Sequence, residues 1–151
     1  GWCNAADAYH QTASSPEGKG ATFAIEGALK QADLQPNDID YINAHGTATK
    51  NNDLSESKAI LSVFKDGVPP FSSTKAFTGH TLAAAGAIET VYSILSLNKG
   101  VIFPNLNYKS PIEETKLVPV TKLETSKHIN SVLSNSFGFG GNNSTVILQK
   151  L

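Results

Sequence analysis

The stretch 39–64, IDYINAHGTATKNNDLSESKAILSVF, changes its period in the middle. Residues 39–44 form a short apolar run of the length of a buried strand, and residues 52–64 repeat apolar positions at helical spacing. A strand that runs straight into a helix is half of a parallel crossover. The flanking sequence repeats the pattern. Residues 17–32, EGKGATFAIEGALKQA, place Ala21, Ala24, Ile25, Ala28, Leu29 and Ala32 on one helical face, and LQPNDID ends that helix. Downstream, PPFSSTK predicts a short strand near 71–74, and a third helix is expected from about Gly79 to Lys99, stopped by Gly100. Residues 101–127 read as an irregular connection. INSVLSNS at 129–136 and STVILQK at 144–150 read as two strands joined by a Gly-Phe-Gly turn. With residues 1–3 ending a first strand, the order is βαβαβαββ. The expected fold is α/β, one domain over 1–151, with a mostly parallel five-stranded sheet flanked by helices. Asn51 or Asn52 is the expected cap of the second helix.

In such sheets ligands gather at the carboxyl ends of the strands. His45 follows one strand, Lys75 follows the next, His80 is expected at the mouth of the third helix, and the FGFGG turn follows the fourth. Two neutral imidazoles aimed at one carbonyl oxygen make an oxyanion hole. A helix N-terminus disfavours protonation of His80, and a Lys75 ammonium nearby adds to that effect. Glu89, later in the same helix, is the expected partner of Lys75. The hydroxyls of Thr47 and Thr49 suit an amide-rich ligand arm. Gly138, Gly140 and Gly141 allow close backbone approach, so Phe137 or Phe139 is placed to gate the site. Each residue alone also has an ordinary reading: a structural histidine, a surface lysine, a hairpin with two core phenylalanines. His10 and His128 keep that reading. His10, His45, His80 and Asp53 match no metal-ligand spacing, so no metal is expected. GFGG lacks the strand-to-helix context of a phosphate loop.

Composition removes other classes. The 151 residues carry a net charge of −1, and the twelve basic residues are all lysine. That leaves no basic field and no guanidinium fork for nucleic acid. No apolar run reaches membrane-spanning length, and the single Cys3 fits a reducing, cytoplasmic setting. Methionine is absent and the chain opens on GWCNAADAYH, so a fragment of a longer protein is expected.

NAHGTATKNND, SSTKAFTGHTLAAAGAIE and NSFGFGGNNSTVIL, with DAYHQTASSPEGKGA near the start, together resemble the C-terminal half of the β-ketoacyl-[acyl carrier protein] synthases. The similarity is strongest to the bacterial type II elongating enzymes. It implies a thiolase-like half and decarboxylative Claisen condensation in fatty-acid biosynthesis, with the nucleophilic cysteine in an N-terminal half that these residues do not include. His45 and His80 then correspond to the two histidines at the malonyl thioester carbonyl, with Lys75 and Glu89 as their charge pair. Thr47 and Thr49 correspond to pantetheine contacts and Phe139 to a gating phenylalanine. Asn43, Glu89, Ser134 and Asn135 resemble a monovalent-cation site of some members. The resemblance implies no resident cofactor, since phosphopantetheine arrives on the carrier protein. It implies acyl carrier protein, the N-terminal half and a second copy as partners. Lys50 departs from the usual proline after the HGT-x-T pattern. The second reading is a non-catalytic partner like the chain-length subunits of polyketide systems.

Overall fold

The structure is a computed structural model that describes residues 1–150. Five strands, β1 (Trp2–Ala6), β2 (Tyr41–Asn43), β3 (Phe71–Ser72), β4 (Ser131–Gly138) and β5 (Asn142–Gln149), form one sheet in the order β1-β5-β4-β2-β3. β2 is parallel to β3 and β4, whereas β5 is antiparallel to β4 and β1. Four strands therefore share one direction and β5 opposes them. The sheet is mixed: the closing hairpin puts two of the four pairings in the antiparallel class.

Helices α1 (Lys19–Ala32) and α2 (Lys50–Phe64) cover one face. Their apolar stripes meet Ile42, Leu133, Phe137 and Ile147 in one core cluster. Ile25, Ile42, Ile60 and Leu133 are fully buried there, each contributing roughly 1.5–3 kcal/mol relative to exposure. α1 is bounded by Gly18 and Asp33, both left-handed, and the Asp33 N–H donates back to Leu29 and Lys30 carbonyls. The start of α2 differs from expectation. Its first residue is Lys50 and its N-cap is Thr49, with no side-chain cap. Asn51 instead donates to the Ser14 carbonyl, and Asn52 to the Asp53 carboxylate.

The third predicted helix is broken in two. A single turn, α3 (Lys75–Thr78), ends at Gly79 with φ +71°, a 3₁₀ turn follows over Leu82–Ala84, and α4 runs from Ala85 to Lys99. His80 thus lies between helices and does not cap one. The chain must turn twice here so that Lys75 and Glu89 can meet, and Gly79 takes the backbone conformation that allows it.

α4 packs on the other face of the sheet with its polar side inward. Glu89, Ser93 and Ser96 are buried, while Val91, Ile94 and Leu95 are exposed and Leu82 is 78 % exposed. A helix with this polarity is built to have its outer face covered by something other than water.

Candidate active site

The parallel strands β2, β3 and β4 end at Asn43, Ser72 and Gly138; His45 and Lys75 follow the first two ends within three residues, and Phe137 is the next-to-last residue of β4. The His45 and His80 rings come together edge to face, with centroids 5.3 Å apart. Phe137 stands beside them, its centroid 5.5 Å from that of His45. His45 is buried (4 % exposed), whereas His80 is exposed.

Hydrogen-bond partners fix both rings in the same tautomer. Lys75 Nζ lies 3.1 Å from His45 Nδ1. An ammonium only donates, so Nδ1 accepts and the ring proton sits on Nε2. The Leu82 N–H donates to His80 Nδ1 at 3.2 Å, which likewise leaves the His80 proton on Nε2. Each neutral ring therefore offers one N–H. Burial, then the Lys75 ammonium, then His80 push the His45 pKa down to about 3. Lys75 thus acts on His45, not on His80 as expected from the sequence. The helix-dipole argument for His80 also lapses, because α4 begins five residues later.

Lys75 is itself buried (8 % exposed) and forms an ion pair with Glu89 (2 % exposed). Burial raises the Glu89 pKa, opposed by Lys75 and by the Ser136 hydroxyl, which donates to Glu89 Oε2. Lys75→Met leaves the Glu89 carboxylate buried and uncompensated, and is expected to cost about 3 kcal/mol of stability. Urea unfolding of the variant, and of Lys75→Met with Glu89→Leu, checks this. The double variant should recover part of the loss. A single variant within 1 kcal/mol of the parent (roughly the value of a surface pair) would show that the pair is not structurally demanding.

The remaining predicted residues are placed as follows. Thr47 and Thr49 share a hydrogen bond (Oγ1 to Oγ1, 2.9 Å) beside His45. Phe139 is 79 % exposed on the FGFGG turn. That turn is tied to the loop after β1: the Gly140 N–H donates to the Gln11 carbonyl, and the Asp7 N–H to the Gly141 carbonyl. Gly141 has φ +76°, and a Cβ there would overlap the Asp7 carbonyl, so the glycine is required. Cys3 sits in edge strand β1, packed against Gly27 of α1. The four cation candidates do not converge through their side chains. Asn43 is engaged with Glu89 and Ser93 on the α4 face, while the Asn135 amide donates to Glu56 on the α2 face. Alternation along β4 sends the Ser134 and Asn135 side chains to opposite faces of the sheet. Among the described residues no group of three His, Cys, Asp or Glu side chains could hold a metal.

One residue of the site was missed. Glu56 in α2 is 3 % exposed and accepts the His45 N–H (2.9 Å), the Gly46 N–H (2.8 Å) and the Asn135 amide (3.1 Å). Burial raises its pKa, opposed by those donors. It anchors a loop in which Gly46 and Ala48 both have positive φ. The signal was present: Glu56 falls on the same helical stripe as Ala59, Ile60 and Val63, where a carboxylate needs partners.

The family described as "Beta-ketoacyl synthase, C-terminal domain" matches residues 1–109. A mitochondrial 3-oxoacyl-[acyl-carrier-protein] synthase of Arabidopsis thaliana is 43 % identical over 159 residues, covering all of this chain and 34 % of that protein. The chain therefore spans about a third of the length of such relatives. A type II polyketide ketosynthase, solved with its acyl-carrier protein and bound to the hexaketide, superposes with TM-score 0.95 at 34 % identity. All of this chain and 38 % of that one are covered. The ketosynthase of Xenorhabdus doucetiae, solved with its chain length factor, gives TM-score 0.89 at 41 % identity, covering 100 % and 38 %. A domain match over most of the chain, identity above 40 % and a shared thiolase-like α/β architecture agree: this chain belongs to the β-ketoacyl synthase family, as its C-terminal domain.

Proposed function

We propose that this chain supplies the decarboxylating half of a 3-oxoacyl-[acyl carrier protein] synthase of fatty-acid biosynthesis. The observation that carries the reading is the pair of neutral imidazoles, His45 and His80, edge to face, each with Nδ1 engaged and Nε2–H free. Both donors bind the thioester carbonyl oxygen of a malonyl unit carried on phosphopantetheine. Loss of carbon dioxide leaves an enolate whose charge rests on that oxygen, and the two N–H groups stabilise it where it forms. The enolate carbon then attacks the acyl carbon of a thioester held by a cysteine of the N-terminal half, the new carbon–carbon bond replacing the carbon–sulfur bond as the cysteine leaves as thiolate. Lys75 and Glu89 hold the His45 ring in its donor tautomer, and Glu56 holds its backbone. Thr47 and Thr49 hydroxyls meet the pantetheine amides, Phe139 closes the mouth, and buried Phe137 lies against the His45 ring on the substrate side. No cofactor belongs to the chain itself. The carrier protein brings the pantetheine arm, and the exposed apolar side of α4 packs against the N-terminal half, as the family resemblance implies. A homodimeric, cytoplasmic enzyme completes the proposal; no described helix is long and apolar enough to cross a membrane.

The test is an assay of the full-length protein that carries this segment, given acyl- and malonyl-carrier protein. It is expected to release carbon dioxide and form the 3-oxoacyl product. The 151-residue chain alone should form none, since Cys3 is packed in an edge strand away from the histidines' strand ends. A folded full-length protein that forms no product by itself, but does so with a separate catalytic subunit, would instead make it a chain-length partner.

A further inference from the structure

Alternation along β4 divides its side chains between the two faces of the sheet. Leu133 and Phe137 join the core under α1 and α2, whereas Val132 packs with Leu97 of α4. Ser136 shares the face of Val132, and its hydroxyl donates to Glu89 Oε2 of α4 at 3.2 Å. Glu89 is 2 % exposed, and its other oxygen, Oε1, accepts from Lys75. Lys75 Nζ in turn lies 3.1 Å from His45 Nδ1. The Ser136 hydroxyl, the Glu89 carboxylate, the Lys75 ammonium and the His45 ring therefore form one chain of contacts, drawn from β4, α4, α3 and the loop after β2. Gly86 gives that chain its room. It is the second residue of α4, and a Cβ on it would lie 2.9 Å from Ser136 Oγ, too close for an unbonded carbon and oxygen. The hydroxyl would have to rotate away, and so leave Glu89. Helix propensity alone favours alanine here, as at Ala85 and Ala87 on either side.

We propose that Ser136 is a positioning residue for the decarboxylation, acting through Glu89 and Lys75 on the tautomer of His45, and that Gly86 leaves the space its hydroxyl needs. Its effect on rate rests on the proposed function; its effect on the ring does not. The ion pair alone is not enough to fix the geometry. The last torsion of a glutamate is soft, so a donor on one oxygen leaves the carboxylate free to turn. A second donor on the other oxygen sets its plane, and with it the place of the Lys75 ammonium. Without the hydroxyl, Oε2 is a buried acceptor with no donor from β4, and the carboxylate turns to find another. Lys75 follows its counter-charge away from Nδ1. The His45 ring then loses the donor that held its proton on Nε2 and takes either tautomer. In the wrong one, Nε2 presents a lone pair to an enolate oxygen that needs a proton donor.

The test uses the full-length protein that carries this segment, isotopically labelled at its histidine ring nitrogens, whose resonances show which nitrogen bears the proton. His45→Gln identifies the His45 signals. In the parent they should show the proton on Nε2 alone. In Ser136→Ala they should show both tautomers, and kcat for malonyl decarboxylation should fall roughly tenfold with KM unchanged, the worth of one hydrogen bond to a charged group. Ser136→Thr keeps the hydroxyl and should restore both readouts. Gly86→Ala removes no hydrogen-bonding group, so it carries the test even where Ser136→Ala unfolds. It should reproduce the loss in the parent and add nothing in the Ser136→Ala background. A Ser136→Ala protein with His45 still protonated on Nε2 alone, or with kcat within twofold of the parent, would overturn the proposal. So would losses from Ser136→Ala and Gly86→Ala that simply multiply. A folded parent without decarboxylase activity would remove the proposed function instead, and the ring resonances would then decide for or against Ser136.

Discussion

On the proposed function, replacing His80 by alanine in the full-length protein that carries this segment is expected to lower the rate of malonyl decarboxylation roughly 100- to 1,000-fold, the usual effect of losing one oxyanion donor. His45→Ala should fall in the same range. The reason is differential binding. A thioester carbonyl in the ground state is a weak acceptor, whereas the enolate oxygen carries charge, so each N–H matters most as carbon dioxide leaves. The loss should therefore appear in kcat, with little change in KM. The two positions differ in support. The His45 ring is buried and held by Lys75, while His80 is exposed and held through one Leu82 N–H. Glutamine, which keeps an N–H donor, should rescue part of the loss at His80. At His45 its longer, flexible amide must fit beside Phe137 and Lys75, and rescue should be poorer. The double alanine variant should be much less impaired than the product of the single effects, because the donors act on one atom. Single variants that keep their kcat within threefold would remove the oxyanion-hole assignment.

Much of this site was readable before the structure, and the unread parts have identifiable causes. His45, Lys75 and His80 follow strand signals in register, and a parallel sheet brings strand ends to one edge, so their convergence required only the topology. The Lys75–Glu89 pair was anticipated on weak grounds, and the structure makes it through a break that the sequence obscured. In LAAAGA every residue but one favours helix or tolerates it, so local propensity predicted a continuous helix from Gly79. The chain leaves that path because a buried ammonium must reach a buried carboxylate, and such a long-range demand outweighs a few tenths of a kcal/mol per residue of propensity. The cap of α2 was misplaced because the helix starts at Lys50: Asn51 and Asn52, good capping types, lie inside its first turn, where their side chains donate to the Ser14 carbonyl and the neighbouring Asp53 carboxylate. The polarity of α4 was not read from its pattern either. Its serines look like surface positions until Asn43 and Ser136 are seen beneath that helix.

Acid should destabilise this chain through His45, by on the order of 4 kcal/mol between pH 7 and pH 3. The ring has a pKa of about 3 in the folded chain against 6.5 when unfolded. Between those values the unfolded chain binds a proton that the folded chain refuses, so stability falls as pH falls from about 6.5 and this contribution levels off below about 3. The carboxyls around the site pull the other way. Asp53, Glu56 and Glu89 are raised by burial, so above about 4.5 the folded chain holds protons that the unfolded chain has released, and their contribution favours lower pH. The stability of the parent chain is the sum of these opposed slopes, and a variant is needed to separate them. His45→Asn removes the imidazole while Glu56 still receives the backbone N–H of residue 45. The difference in unfolding free energy between parent and variant, measured by urea at several pH values, should shrink steadily from pH 6.5 to pH 3. A proton spectrum of the parent should show the His45 ring protons unshifted at pH 5. A His45 resonance titrating near pH 6, or a parent–variant difference independent of pH, would mean that the Lys75 ammonium and burial do not hold this ring neutral. The Nδ1 acceptor that orients its Nε2–H would then be lost with them.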